Sequence, residues 1–291
     1  MVRLAGRRST GRMAYDTPDQ KPILIVGGTG KTGRRVADRL TARNLPVRIG
    51  SRSSEPPFDW EDHATWAPAL HGVGSAYVTF YPDLAVPGST DAIRAFTHVA
   101  LGAGARRIVL LSGRGEDEAE ACERILQASG ADWTILRSTW FAQNFSESTF
   151  LGPVLSGEVA LPVGDVREPF VDADDIADVA VAALTEDGHA GRLYELTGPR
   201  LLTFAEAVEE IAEAADRKVR FMQISPEEYA AALAAEGLPP EVVELVVYLF
   251  TTVLDGRNAH LADGVQRALG RPPRDFADFA RDAAAAGVWN G

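Results

Sequence analysis

An apolar run of four residues, Ile23-Leu24-Ile25-Val26, ends directly in Gly27-Gly28-Thr29-Gly30-Lys31-Thr32-Gly33. A helical pattern follows, with Val36, Ala37 and Leu40 on one face. Strand, glycine turn, helix is the order in which a parallel α/β sheet holds a dinucleotide, and it constrains the fold more than any other stretch of this chain. Gly27 lets the chain turn sharply off the strand. Gly30 has no side chain, so a pyrophosphate can approach the backbone. Gly33 lets the helix pack closely on the strand. The free N–H groups at the helix start face the phosphates. Thr29, Lys31 and Thr32 share the turn and join the three glycines as candidate cofactor ligands. Two other readings exist. Gly30-Lys31-Thr32 resembles part of a nucleotide-triphosphate loop, but that motif needs a glycine at position 25, which is Ile. A plain glycine turn without a ligand is the other.

The next strand, Val47-Arg48-Ile49-Gly50, ends in Ser51-Arg52-Ser53. A site for NAD offers an Asp or Glu about 20 residues past the glycines, to accept from the ribose 2′-hydroxyl. Here a guanidinium stands between two serines. These groups suit a 2′-phosphate and would be wasted on a bare hydroxyl. The expected cofactor is therefore NADP(H). The plainer alternative is a solvated loop arginine.

With 291 residues, the chain suffices for one large α/β unit or two small domains. A formal net charge of −12 argues against nucleic acid as a partner. The single cysteine, Cys122, excludes an intramolecular disulfide and fits a reducing compartment, so a cytoplasmic location is expected. On a helix it reads as a small packing residue. The five histidines show no metal-ligand spacing, and no metal is expected. No apolar stretch has the length to span a bilayer. Residues 1–20 carry Arg3, Arg7, Arg8 and Arg12 without the hydrophobic core of a secretory signal, and Met13 offers an alternative start. They read as a disordered tail.

Beyond the tail, apolar strands are expected near 23–26, 47–50, 75–80, 107–111 and 132–137, separated by helices over 33–43, 63–70, 89–103 and 116–129. Such alternation predicts a Rossmann-type, doubly wound parallel sheet with helices on both faces. After residue 140 the rhythm breaks. Residues 172–184 read as a capped amphipathic helix returning to the sheet. Phe204 to Ala215 reads as another helix, with Thr203 and Glu206 as a capping box. Helical segments near 226–236, 239–254 and 273–286 follow. The unit 21–291 divides into a Rossmann core of about 22–150 with a returning segment of about 166–198. The remaining C-terminal segments form a smaller lobe that covers the cleft and shapes a substrate pocket.

The glycine motif, Ser51-Arg52, the stretch Ala131 to Phe145 and the stretch Glu168 to Asp178 together resemble the NmrA-like atypical short-chain dehydrogenase/reductases over residues 22 to about 289. Pro57-Phe58-Asp59-Trp60, Thr65-Trp66 and Asn144-Phe145 are most similar to the ergot alkaloid reductases of the agroclavine dehydrogenase type and their bacterial relatives. The resemblance implies a sheet of six or seven parallel strands, NADP(H) at its C-terminal edge and a smaller C-terminal lobe. It implies several functions that exclude one another: quinone reduction, reduction of imines or other activated bonds, and NADP binding without turnover as a redox sensor. Fold alone cannot choose among them.

Typical short-chain reductases carry a Tyr-x-x-x-Lys pair after this part of the sheet. Aligned on Glu123, its positions fall on Gly115 and Ala119, and both functional groups are missing. The tyrosine supplies the proton when a carbonyl becomes an alkoxide, so ordinary ketone reduction loses its acid. Candidates near the nicotinamide come from strand ends. Phe80, Tyr81 and Pro82 follow one strand, and Tyr81 could stack on the ring or donate a proton, or simply pack in the core. Ser112 ends another. Trp140 and Phe141 could wall an aromatic pocket or pack under the lobe. Glu116 could offer negative potential to a cationic substrate, or merely favour the start of a helix. The expectation is an NADPH-dependent reductase acting on a small molecule, a cyclic or aromatic imine, with neither membrane nor nucleic acid as partner and a homodimer left open.

Overall fold

The computed structural model describes residues 21–290, so the expected tail over residues 1–20 lies outside the described residues. Six parallel strands build the central sheet: β1 Ile23–Val26, β2 Val47–Gly50, β3 Ser75–Val78, β4 Arg107–Gly113, β5 Asp132–Ser138 and β6 Arg192–Leu196. Their order is β2-β1-β3-β4-β5-β6. The direction of winding reverses between β1 and β3, and a crevice opens there outside the carboxyl ends of the strands.

The strands are apolar on both faces because both faces are covered. Leu24, Val26, Ala76, Val78, Ile108 and Leu110 point into one core. Helices α2 Ser89–Gly102 and α3 Asp117–Gln127 close it, with Trp66, Leu70 and Phe96 among its largest side chains. Cys122 packs in this core, as a small apolar residue does. Ile23, Ile25, Tyr77 and Val109 point the other way, toward α1 Lys31–Ala42 and α4 Ala173–Thr185.

Helix α4 corrects the amphipathic reading of its sequence. Asp172 caps it by accepting from the Asp174 N–H at 2.8 Å, as its position suggests. Yet Ile176, Ala177 and every residue from Val179 to Leu184 are buried. Its acids meet arginines instead of water. Asp174 and Asp178 take Arg39 of α1 at 2.7 and 2.6 Å, and the buried Asp175 takes Arg271 at 2.7 Å.

A third core holds the C-terminal segments. Phe145, Phe150, Phe170, Phe204, Phe250 and Phe276 pack together there. The Thr203–Glu206 capping box starts the helix Phe204–Ala214 as expected. Two small pairings were not anticipated: Glu158–Leu161 lies parallel to Arg220–Gln223, and Arg167–Glu168 antiparallel to Leu202–Thr203. The expected helix over 239–254 is two pieces, an α-helix Pro240–Tyr248 and a π-helical turn Leu249–Val253. The segment expected over 273–286 begins later, at Phe276, and a short helix Gly264–Leu269 precedes it. Among the described residues, no helix is long and apolar enough to cross a membrane.

Candidate active site

The glycine turn is built as its sequence demands. Gly27 has φ +71°, and a Cβ there would lie 2.1 Å from Thr79 Oγ1. A Cβ on Gly33 would lie 2.2 Å from the Gly27 carbonyl oxygen, so this glycine sets how closely α1 packs on the strand. Gly30 caps α1 without a side-chain hydrogen bond, leaving the first N–H groups of the helix facing the crevice.

A cleft of about 930 Å³ opens from this turn. Gly27, Thr29, Gly30, Lys31 and Thr32 line one end, together with Ser51, Arg52 and Ser53 from the end of β2. Phe80, Tyr81, Pro82, Ser112, Glu116, Trp140 and Phe141 line it as well. Every residue expected at the site except Gly33, which packs beneath it, therefore faces one cavity. Roofing residues that were not individually foreseen come from the C-terminal part: Leu245, Val246, Leu249, Phe250 and Val253.

At the β2 end, Ser54 Oγ donates to the Ser51 carbonyl at 2.8 Å and to the Pro56 carbonyl at 3.0 Å, tightening the loop. Arg52 is exposed and makes no ion pair among the described residues. Its guanidinium is available to an anionic ligand, and no carboxylate occupies the loop Ser51–Ser54. Lys31 is held differently. Its ammonium donates to Asn144 Oδ1 and lies 5.8 Å from the centre of the Phe141 ring. Burial pushes it down to about 8, against the pull of Glu147. Glu147 in turn binds Arg34 and Arg35, tying the segment Asn144–Glu147 to α1.

Ser112 donates to Glu123 Oε1 at 2.6 Å, and Glu123 also holds Arg137. The two positions where a Tyr–Lys pair would stand are occupied otherwise. Gly115 is in the left-handed turn before α3, where a Cβ would lie 2.7 Å from Asn258 Nδ2. Ala119 is buried in the core under α3.

The remaining candidates resolve unevenly. Tyr81 is 72% exposed, so packing in the core is not its role; it stands on the rim of the cleft. Trp140 is both at the surface of the cleft and packed against the C-terminal aromatics. It lines the cleft, and it stacks on Phe150 and meets Phe250 at a centroid distance of 5.0 Å. Phe141 also lines the cleft, packs toward α1 and α4, and has the Lys31 ammonium over its ring. Glu116 precedes α3 but its side chain makes no capping hydrogen bond; Asp117, Glu118 and Glu120 supply the acids of the first turn. Its carboxyl is buried against Asp83, and burial with that neighbouring acid raises it well above the ordinary carboxylate range. Burial and the neighbouring Asp83 both favour the neutral acid, which weakens the negative potential Glu116 could offer. Behind the wall, Thr139 donates to the buried Glu168, whose acid burial pushes up to about 8.

A doubly wound parallel sheet with a glycine turn, an open helix N-terminus and a cleft at its switch point defines a dinucleotide-binding α/β protein. Residues 27–187 match the NAD(P)H-binding family. The oxidoreductase YesF of Bacillus subtilis is 33% identical over 281 residues, covering 93% of this chain and 97% of that protein. Agroclavine dehydrogenase of Claviceps fusiformis is 30% identical over 278 residues, covering 89% of this chain and 96% of that protein. Among solved structures, the triphenylmethane reductase of Citrobacter sp. superposes with a TM-score of 0.71 at 20% identity, covering 91% of this chain and 99% of that one. The chain belongs to the NAD(P)H-binding family whose model it matches over more than half its length, and is an NAD(P)H-dependent oxidoreductase.

Proposed function

We propose that the protein is a cytoplasmic NADPH-dependent reductase that delivers hydride to a C=N bond, of a cyclic or aromatic imine or iminium ion. The observation that carries this reading is the replacement of the Tyr–Lys acid by a turn glycine at Gly115 and a core alanine at Ala119. An iminium ion carries its positive charge before hydride arrives. Its reduction gives an amine directly, no oxyanion develops, and no tyrosine acid is required. The similarity to an agroclavine dehydrogenase supports an alkaloid-like substrate.

The residues divide the work. The turn Gly27–Gly33 takes the pyrophosphate, Arg52 with Ser51 and Ser53 takes the 2′-phosphate, and Lys31 offers a cation beside them. Phe80, Tyr81, Pro82 and Ser112, which line the cleft, would flank the nicotinamide when the cofactor is bound. The cofactor, when bound, supplies the hydride. Trp140, Phe150 and Phe250 give the substrate a flat apolar wall, and the residues Leu245–Val253 exclude water from above.

The test is a pair of substrates assayed with NADPH: a permanently charged N-alkyl iminium and the ketone of the same skeleton. The iminium should turn over across a broad pH range, and the ketone poorly or not at all. Efficient ketone reduction that disappears in Tyr81→Phe would overturn the reading and make Tyr81 a relocated acid.

A further inference from the structure

Asp83 follows β3 and Glu116 follows β4, the two strands on one side of the switch point. Both residues line the cleft, and each carboxyl is near enough to perturb the other. Glu116 is only 7% exposed, and its Oε2 has no hydrogen-bond partner. The carboxyl occupies the place a side chain on Gly113 would take: a Cβ there would lie 2.1 Å from Glu116 Oε1. Asp83 is fixed from below by the Ala85 N–H, which donates to its Oδ1 at 2.9 Å. An unpaired buried acid costs stability unless its environment uses it. None of the structural ion pairs of this protein includes Asp83 or Glu116 among the described residues.

We propose that Asp83 and Glu116 share one proton, and that Glu116 is the acid that protonates a neutral imine nitrogen in the cleft. The assignment rests on the reductase reading above. It supplies the proton that a neutral imine, unlike a permanently charged iminium ion, needs before hydride arrives. The O–H bond of Glu116 breaks and an N–H bond forms, giving an iminium ion and leaving the pair doubly ionised. Hydride then adds to the carbon with its electron pair, the C=N π bond closes onto nitrogen as a lone pair, and an amine results. NADPH is oxidised to NADP⁺, and a proton from water restores Glu116. An imine nitrogen is basic enough to take the proton fully before hydride arrives, whereas a carbonyl oxygen is not. The newly formed cation also offsets the repulsion between the two carboxylates that kept the proton in place.

The groups that act most strongly on Glu116 favour its proton, while the nearby cation Arg257, whose guanidinium donates to the Gly115 carbonyl at 3.4 Å, is paired with Asp255. Burial and Asp83 act most strongly, and Glu118 and Glu123 of α3 add to them. Tyr248 faces the same group from the helix Pro240–Tyr248. Arg114, two residues away, is turned toward Glu195 and the carbonyls of Asn258 and His260.

The experiment compares kcat/KM for a neutral cyclic imine with that for its N-alkyl iminium, using the full chain and NADPH. In Glu116→Gln, which keeps the size of the side chain, the imine-to-iminium ratio should fall about a hundredfold, the low end for a general acid. In Asp83→Asn, Glu116 loses its acidic neighbour, so the alkaline limb of the neutral-imine profile should move to lower pH. A ratio unchanged in Glu116→Gln overturns the assignment. The second readout needs no turnover. Infrared difference spectra of the cofactor-free protein at neutral pH should show a protonated carboxyl band that is lost in Glu116→Gln. Absence of that loss overturns the shared proton directly. A wild type that turns over neither substrate removes the reductase reading, and Glu116's role as acid with it, while the band still decides whether the pair shares a proton.

Discussion

Arg52 stands exposed beside two serine hydroxyls, with no acid between Ser51 and Ser54, and on the account proposed here this local chemistry favours NADPH over NADH. Arg52→Ala should cost NADPH about 1.5–3 kcal/mol, the worth of a hydrogen bond to a charged group, which is roughly ten- to a hundredfold in Kd. NADH should bind weakly to both proteins and change little. Calorimetry with the two cofactors checks this, and equal affinities in the wild type would end the assignment. Lys31 gives a pH dependence. In the free protein it loses its proton near pH 8, whereas bound phosphates favour the charged form. Binding above that pH must therefore take up a proton, so NADPH affinity should fall as pH rises through about 8, by up to about tenfold per unit. Lys31→Met should flatten this slope, and an unchanged slope would place the phosphates elsewhere. The glycine turn and Arg52 were legible in the sequence because each acts through its own backbone or side chain. The Asp83–Glu116 pair was not. Its partners lie on different strands, and the raised carboxyl depends on burial that no local pattern encodes.

At the scale of elements, the wall of the pocket is an aromatic stack as well as a surface. Trp140 leaves β5 and is gripped by Phe150, Phe204 and Phe250 from three other segments. Trp140→Ala should raise KM for bulky aromatic substrates more than for small ones, with a stability loss below the roughly 3–5 kcal/mol of a fully buried aromatic, because Trp140 is only partly buried. A uniform loss with every substrate would assign Trp140 to packing alone. The strands and helices of the first half were readable because apolar runs alternate cleanly with helical spacing. Helix α4 misled, since its acids imitate a solvated face while arginines of α1 and of the segment after Leu269 neutralise them. Strand β6, Arg192–Leu196, escaped for a related reason. It pairs only with β5, and its outer residues are half-exposed, so no long apolar run marks it.

At the scale of the whole molecule, the sheet order places the glycine turn, the β3 end and the β4 end around one crevice, and the C-terminal segments close over it. Cofactor end and aromatic end are thereby held in one cavity of about 930 Å³, enough to bring a nicotinamide and a flat substrate face to face. The central claim is that hydride crosses that cavity to a C=N carbon. NADPH deuterated at the transferring position of C4, mixed with the N-alkyl iminium and analysed by mass spectrometry and NMR, measures this directly. One deuterium should appear in the amine, at the former iminium carbon, for each NADPH consumed. NADPH that binds with unchanged absorbance and leaves the iminium unlabelled would contradict the account, and would leave a protein that holds the cofactor without using it.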